Sequence, residues 1–358
     1  MPASPPIARE NRVIFCKGTE NFTVRDVLDW ARVRGELEPS WRNFAHALEC
    51  HRRARDEELE TDDSAIDSAA IAFRYQHDLI TAEETEGWLG NRGLTLTEFG
   101  EYFVRQYWAR IFSGQVNSSY HSYSSAQTEE KDLFLIDLTL SGELDRLAEQ
   151  LSFRVAAQAA EEKTEEDVAT EREQFIAREQ IEDMAEWLKQ FGRDQHWLDA
   201  MIAAERVYQR QLTAQISSRA LERELLSMRL NLTRFELEVI EVDSRDAAAE
   251  VIACVRSDGM DMSEIADESR YPFRRSEILL EDLPLEQQQS FLSVKAGALL
   301  EPIAREDAFE VCRIKSRADP QLSDTDVRKR LEERLSSRHF SELVGRHIKW
   351  KVLQPAPE

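Results

Sequence analysis

The sequence predicts a mainly α-helical protein that ends in a smaller domain of the α+β class. Helix-forming residues dominate, because only 12 glycines and 10 prolines are spread over 358 residues. Hydrophobic residues make up 42% of the chain, which is enough for a packed core. After Leu232 the pattern changes to RFELEVIEVD, in which apolar and charged residues alternate as they do in a half-buried strand.

The charge balance and the cysteine pattern exclude several classes of protein. The chain has 46 Lys and Arg against 69 Asp and Glu, a formal net charge of -23, so it would repel a nucleic acid overall. It has no apolar run of about 18 residues and no secretory signal pattern, so we expect no contact with a membrane. Its four cysteines lie far apart and form neither a disulfide framework nor a zinc pattern. We therefore expect a cytoplasmic protein without a metal or other cofactor.

Motifs of other enzyme classes are missing from the sequence. It contains no phosphate-binding loop, no dinucleotide-binding fingerprint and no Gly-x-Ser-x-Gly nucleophile elbow. The seven histidines do not pair with a second ligand at zinc spacing. These motifs therefore give no candidate for a catalytic residue.

The chain is predicted to divide into six segments that differ in apolar pattern, charge and Ser, Pro or Gly content. They are an irregular lead (1–19), helical module A (20–113), a Ser-rich linker (114–130), helical module B (131–232, with an acidic segment at 161–173), an α+β domain (233–316) and a C-terminal helix and strand (317–358).

Capping motifs place the first helices of module A. Thr23 and Thr81 are each followed three residues later by a carboxylate, as in a capping box. A further helix is expected to begin at Thr95 or Thr97. Between the starts at Thr23 and Thr81, Gly35 and Pro39 should end the first helix, and a second helix should run from about 40 to 55.

The α+β domain is predicted to begin with a strand in RFELEVIEVD and a helix in DAAAEVIACVRSDGM. A short helix follows at SEIADES, residues 270–283 are expected to be irregular, and Pro284 begins another helix. Two strands, in KAGALLEPIA and AFEVCRIK, close the domain.

This order of elements and several residues within it resemble a known family. The marks are Gly259, Met262, Ile265, Ala266 and Ser269 in the two helices, then Leu292, Gly297, Pro302 and Ile303, and the closing strand DAFEVCRI. On these marks, residues 233–316 resemble a parvulin-type (PpiC-type) peptidyl-prolyl isomerase domain.

The whole chain is similar to the SurA-type chaperone-foldase layout, with helical modules before a degenerate parvulin-like domain. More narrowly, DVLDWARVRGELEP and ITAEETEGWLGNRGLTLTEF resemble PpiC-related proteins that are assigned to peptide maturation systems. This resemblance implies that the partner is a peptide or precursor peptide, and that a peptide-modifying enzyme is a further candidate partner. It leaves the oligomeric state open.

The polar centre of an isomerase is not conserved in this domain. Parvulin domains usually carry one His on the first strand and another on the last, but the first strand here reads Arg234-Phe235-Glu236-Leu237. Glu310 stands where the second His would fall, Ala308 replaces the usual Gly, and the Gly-Gly-x-Leu-Gly segment is missing. The catalytic residues therefore stay unassigned.

An apolar pocket for a peptide is still compatible with the sequence. Its candidate residues are Phe273, Phe291, Leu292, Ile303 and Phe309. Leu292 and Phe309 also fit a plain hydrophobic core, and Cys254 and Cys312 fit small core residues better than reactive thiols.

Three functions follow from the resemblance and its departures. The first is a chaperone-like protein of a peptide maturation system that binds a peptide or its precursor. The second is an active peptidyl-prolyl isomerase and general foldase with an atypical centre. The third is a peptide-modifying enzyme that reuses the parvulin cavity. The missing histidines favour the first over the second.

Overall fold

The chain divides into two units in a computed structural model that describes residues 9–114, 122–161, 168–305 and 308–351. The first, here called the helical unit, comprises residues 1–211 and 339–358. The second, the sheet unit, comprises residues 212–338. The described residues are mostly helical, with a small antiparallel sheet in the C-terminal part, so the predicted fold class is confirmed.

Helices make up most of the helical unit. They are α1 (Val24–Val33), α2 (Leu37–Asp56), α3 (Asp63–Gln76), α4 (Ala82–Arg92), α5 (Leu96–Ile111), α6 (Thr128–Leu140), α7 (Glu143–Ala160), α8 (Ala169–Arg178), α9 (Met184–Lys189) and α10 (Gln195–Gln215), which extends into the sheet unit. α6 packs on α2 and α5, and α7 packs on α1. The segment expected to form module A therefore shares one unit with residues 131–211 of module B, whereas residues 212–232 of module B belong to the sheet unit. The predicted linker and the acidic segment lie partly outside the described residues.

The helix starts follow the capping chemistry of the sequence. Thr23 and Thr81 each accept a hydrogen bond from the N–H three residues on, and the carboxylate at that position caps back, as predicted. Thr95 is the cap of α5. α2 begins earlier than predicted, at Leu37, because Pro39 lies in the first turn, where a missing N–H removes no helical hydrogen bond.

The first residues contain a strand, which corrects the prediction of an irregular lead over 1–19. β1 (Val13–Lys17) pairs antiparallel with β2 (Glu20–Thr23) and with β7 (Ile348–Trp350) in a three-stranded sheet. Gly18, at φ +59°, provides the left-handed backbone of the two-residue turn between β1 and β2. Phe15 is completely buried and stacks on Phe22, so burial of this apolar run stabilises the strand.

The sheet unit is built on a four-stranded antiparallel sheet with the strand order β4-β3-β6-β5. Its elements are α11 (Ser218–Met228), β3 (Arg234–Val242), α12 (Arg245–Ala253), α13 (Met262–Ser269), β4 (Phe273–Leu279), α14 (Leu285–Ser293), β5 (Ile303–Arg305), β6 (Ala308–Ala318) and α15 (Thr325–His347), which ends in the helical unit.

β4 corrects the prediction that residues 270–283 are irregular. The strand pairs with β3 along its whole length, from Phe273 opposite Ile240 to Leu279 opposite Arg234. Its sequence, FRRSEIL, lacks a continuous apolar face, so local alternation does not reveal it. It is an edge strand, and charged residues on edge strands hinder pairing with a further strand.

The sheet unit is larger than the predicted domain at 233–316. Leu221 from α11 packs with Val327 and Leu331 from α15 in a single cluster with Leu232 and Leu279. Because this cluster joins both flanking helices to the sheet, the unit begins at residue 212 and ends at residue 338.

Candidate functional site

The four-stranded sheet has an apolar cluster on each face. Neighbouring residues of a strand point to opposite faces, so β3 and β6 contribute to both clusters. The face that α14 covers, here called the α14 face, contains Phe235, Leu237, Val239, Leu280, Leu283, Phe291, Leu300, Cys312 and Ile314. The face that α12 and α13 cover, here called the α12 face, contains Ile240, Val242, Ala248, Val251, Met262, Ile265, Ala266, Leu299 and Val311.

The structure divides the five predicted pocket residues between these faces. Phe291, Leu292 and Ile303 belong to the α14 face, whereas Phe273 and Phe309 pack on the α12 face. They therefore do not line one pocket. Phe291 is 1% exposed and is a core residue, while Leu292 and Ile303 are half-buried and reach the surface.

Glu310 lies on the α14 face beside Ile303, its partner on β5. Its carboxylate accepts hydrogen bonds from Arg274 Nη2 at 2.5 Å and from Arg305 Nε at 3.0 Å. The side chain of Glu310 is 10% exposed, whereas those of Arg274 and Arg305 are 50% and 52% exposed. We call these three residues the rim triad. At the position of the expected second His, a buried carboxylate is thus held between two half-exposed guanidinium groups.

The electrostatics of the rim triad determine what chemistry it can perform. Burial by itself would raise the pKa of Glu310, but the hydrogen bonds from Arg274 and Arg305 outweigh it and lower the pKa. Burial, with Glu310 nearby, raises the pKa of the Cys312 thiol to about 12. At neutral pH the site therefore holds a paired carboxylate and a protonated thiol. Neither is prepared to act as a general base or a nucleophile.

A second cluster of the same residue types lies on the α12 face, and we call it the core triad. Glu238 lies directly between Arg275 on β4 and Arg313 on β6. Arg313 Nε donates to Glu238 at 2.9 Å, and Arg275 Nε lies 3.3 Å from the same carboxylate. Arg313 also donates at 3.1 Å to Asp261, which caps α13 by accepting from the Ser263 N–H. The core triad thus connects three strands to a helix.

The sequence points to Glu310 but not to its arginine partners. The available signal is the adjacent pair Arg274 and Arg275, because neighbouring residues on a strand lie on opposite faces. Each arginine meets a different buried glutamate, Glu310 for the first and Glu238 for the second. This signal depends on β4, which the local sequence pattern does not predict.

The helical unit contains a cavity of about 400 Å³ that α2, α5 and α6 line. Its lining includes the carboxylate of Asp137, which accepts from the buried Arg105 at 2.5 Å and from Gln106 at 3.4 Å. Burial raises the pKa of Asp137, although Arg105 opposes the rise. The carboxylate of Asp137 therefore already has a partner of opposite charge, Arg105, within the protein.

The described residues contain neither a candidate metal site nor a membrane-spanning helix. No group of three or more His, Cys, Asp and Glu is placed there to hold a metal ion. None of the helices in that part of the chain combines the length and the apolar character that crossing a bilayer requires.

No family model matches the chain, and no curated protein matches its sequence. Among solved structures, it is similar to the peptidyl-prolyl isomerase PrsA from Bacillus cereus, with 14% identity and a TM-score of 0.36 over 64% of this chain and 88% of that one. PrsA from Bacillus anthracis gives 14% identity and a TM-score of 0.31 over 56% and 97% of the two chains. A SurA-like chaperone structure from Campylobacter jejuni gives 7% identity and a TM-score of 0.19 over 60% of this chain and 88% of that one. Likeness at this level carries no functional assignment.

Proposed function

We propose that this protein binds peptide segments in an extended form, as a chaperone does, and does not isomerise prolyl bonds. The observation that carries the proposal is the rim triad, in which Arg274 and Arg305 hold Glu310 at the expected position of a histidine. The half-exposed arginines lie on the same face as the half-buried Leu292 and Ile303. Donors beside apolar surface suit the carbonyl oxygens and apolar side chains of a peptide.

The same geometry argues against isomerase chemistry. Rotation about a peptide bond faces a barrier of about 18–20 kcal/mol. An enzyme lowers it only by binding the twisted amide more tightly than the planar forms. The Glu310 carboxylate is committed to two arginines, and the Cys312 thiol is buried, so neither provides a hydrogen bond reserved for the twisted state.

As the client we propose a genetically encoded precursor peptide in the cytoplasm, with a peptide-modifying enzyme as a further partner. The resemblance of the N-terminal phrases to proteins of peptide maturation systems supports this choice. A net charge of -23 favours a neutral or basic client over an acidic one.

Two assays with the full chain and one proline-containing peptide test the activity. The protein should leave the isomerisation rate at its value in buffer, while fluorescence anisotropy shows saturable binding of the labelled peptide. A rate that rises in proportion to protein concentration would replace the proposal with an active isomerase and foldase. If the labelled peptide does not bind, the chaperone role is wrong.

The client is tested by capture from the native cell. The immobilised protein is exposed to lysate, and bound peptides are identified by mass spectrometry. Enrichment of one short encoded peptide supports the dedicated role, and a broad set of unfolded proteins contradicts it in favour of a general chaperone. A changed mass of the peptide after incubation with the purified protein would show a peptide-modifying enzyme instead.

A further inference from the structure

We infer that a second cavity of the helical unit receives one large apolar side chain of the bound peptide, together with an adjoining main-chain amide. The inference rests on the proposed function and names a site for it. The cavity has a volume of about 290 Å³, and residues of α1, α8 and α10 line it. Sites for drug-sized ligands measure about 300–1,000 Å³, so this one suits a single residue.

Four apolar side chains form one part of the wall of this cavity. Val33 from the end of α1, Phe175 from α8, and Met201 and Ile202 from α10 line it and are buried. An aliphatic or aromatic side chain placed among them would leave water for an apolar environment, which is the main source of binding free energy for such a group.

Two polar atoms at the cavity have unused hydrogen-bonding capacity. Arg34 Nη1 and Glu171 Oε2 are buried, and neither has a partner among the described residues. The other groups of both side chains are occupied: Arg34 Nε and Nη2 donate to Glu36 at 2.9 Å, and Glu171 Oε1 lies 2.9 Å from Arg206 Nη1. A buried group without a hydrogen bond lowers stability, so a ligand that supplies one is favoured.

The unused atoms select a neutral ligand with one donor and one acceptor. The charged side chains at the cavity already have ion-pair partners, namely Arg34 with Glu36, Glu171 with Arg206, Glu205 with Arg154 and Arg178 with Glu179. A ligand with a free carboxylate would be attracted by Arg34 but repelled by the nearby carboxylate of Glu171. A peptide main chain supplies an N–H for Glu171 and a C=O for Arg34 without adding charge.

A small neutral probe with a leucine side chain and main-chain amides is N-acetyl-leucine N-methylamide. The full chain contains six methionines, and ¹³C-methyl labelling gives each a separate NMR signal. We expect the probe to shift the signal of Met201, assigned with Met201→Leu, in a saturable manner and to leave the other methionine signals unchanged. The alanine analogue should bind about tenfold more weakly, because it buries less apolar surface.

A matched pair of variants tests the amide contact. Glu171→Met removes the acceptor and should weaken binding of the probe about tenfold. Glu173→Met makes the same change at an exposed position of α8 that does not line the cavity, and it should leave binding unchanged. If Glu171→Met lowers the melting temperature, Ile202→Trp is the second variant, and it should abolish the shift by filling the cavity.

The results separate this inference from the proposed function. If the Met201 signal does not move while the labelled longer peptide still binds the full chain, the cavity assignment is wrong and the proposed function stands. If neither probe binds, both fail. Equal weakening by the two glutamate variants, or tighter binding of N-acetyl-leucine with a free carboxylate, would overturn the neutral amide contact.

Discussion

The rim triad and the core triad contain the same residue types in the same sheet, but only the core triad has an arginine that is mostly buried. Both glutamates are buried, with side chains that are 10% exposed for Glu310 and 4% for Glu238. In the core triad, Arg313 is 18% exposed and also reaches the residue that caps α13, whereas Arg275 is 63% exposed. In the rim triad, both arginines are half-exposed. The mostly buried Arg313, more than the burial of the glutamate, thus distinguishes the core triad from the rim triad, in which both cations reach solvent.

The two triads should respond differently to the loss of their glutamate, because their cations differ in solvation. In a buried ion pair both ions lose their hydration. Removing one ion then leaves the charge of the other buried without compensation. An exposed arginine regains water when its partner is lost, so the same deletion has a smaller effect on stability. Three predictions test this difference, and a fourth tests the cap of α13, in order from the largest expected effect to the smallest.

Loss of the carboxylate should be most damaging in the core triad. Glu238→Ala leaves Arg313 buried without its main partner, so we expect the free energy of unfolding of the sheet unit to fall by about 3 kcal/mol or more. Urea unfolding of the full chain, followed by circular dichroism, measures the change. Glu236→Ala, at an exposed position of the same strand, is the control and should have little effect. Equal effects of the two variants would contradict the structural role of the core triad.

The same deletion in the rim triad should have a smaller effect. Glu310→Ala returns two half-exposed arginines to water, so we expect a loss of about 1 kcal/mol. The urea midpoint of this variant is compared with that of Glu238→Ala. A loss as large as that of Glu238→Ala would show that both triads are structural, and the comparison would fail.

Removing one arginine from each face tests which triad meets the peptide. Arg274→Gln should weaken binding of the labelled peptide about fivefold, which corresponds to about 1 kcal/mol. Arg275→Gln, one residue further on the opposite face, should leave the affinity unchanged. Fluorescence anisotropy with the full-length variants measures both. Equal losses of affinity would show that the effect is one of net charge and not of a contact at the rim triad.

Acid should reveal a small contribution from the cap of α13. Hydrogen bonds from the Ser263 N–H, Arg313 and the Ser263 hydroxyl lower the pKa of Asp261 from 3.8 to about 2. A carboxylate whose pKa is lower in the folded state stabilises the fold above its unfolded pKa, and this stabilisation is lost as the pH falls through the folded value. We therefore expect the urea midpoint to decrease as the pH falls from 3.8 towards about 2. Asp261→Asn should reduce this dependence, whereas Asp267→Asn, exposed on the same helix, should not.

Local chemistry made much of the fold predictable. Thr23 and Thr81 mark helix starts because a capping box involves residues only three positions apart. β3 and β6 were predictable because both are runs rich in aromatic and β-branched residues. β1 was missed although its hairpin with β2 is local, with an apolar run before the two-residue turn at Gly18. Its second partner, β7, lies more than 300 residues away, as the contact between Cys16 and Lys349 shows. The sequence carries no local mark of such a pairing.

The candidate site was less predictable than the fold for the same reason. The apolar character of Leu292 and Ile303 can be read from the sequence, but the face on which each residue lies depends on the register of β4, β5 and β6. The arginines of the rim triad come from two strands, and only the folded sheet brings them to Glu310.

The pairing of β1 with β7 has a consequence for the order of folding during synthesis. The sheet unit lies within the chain between two parts of the helical unit, so all of its residues leave the ribosome before β7 does. Its antiparallel sheet can form while the strand that completes the sheet of the helical unit is not yet made. Until then Phe15 lacks the neighbouring ring of Trp350, and one edge of β1 stays unpaired. The nascent helical unit therefore exposes a strand edge throughout the synthesis of the sheet unit.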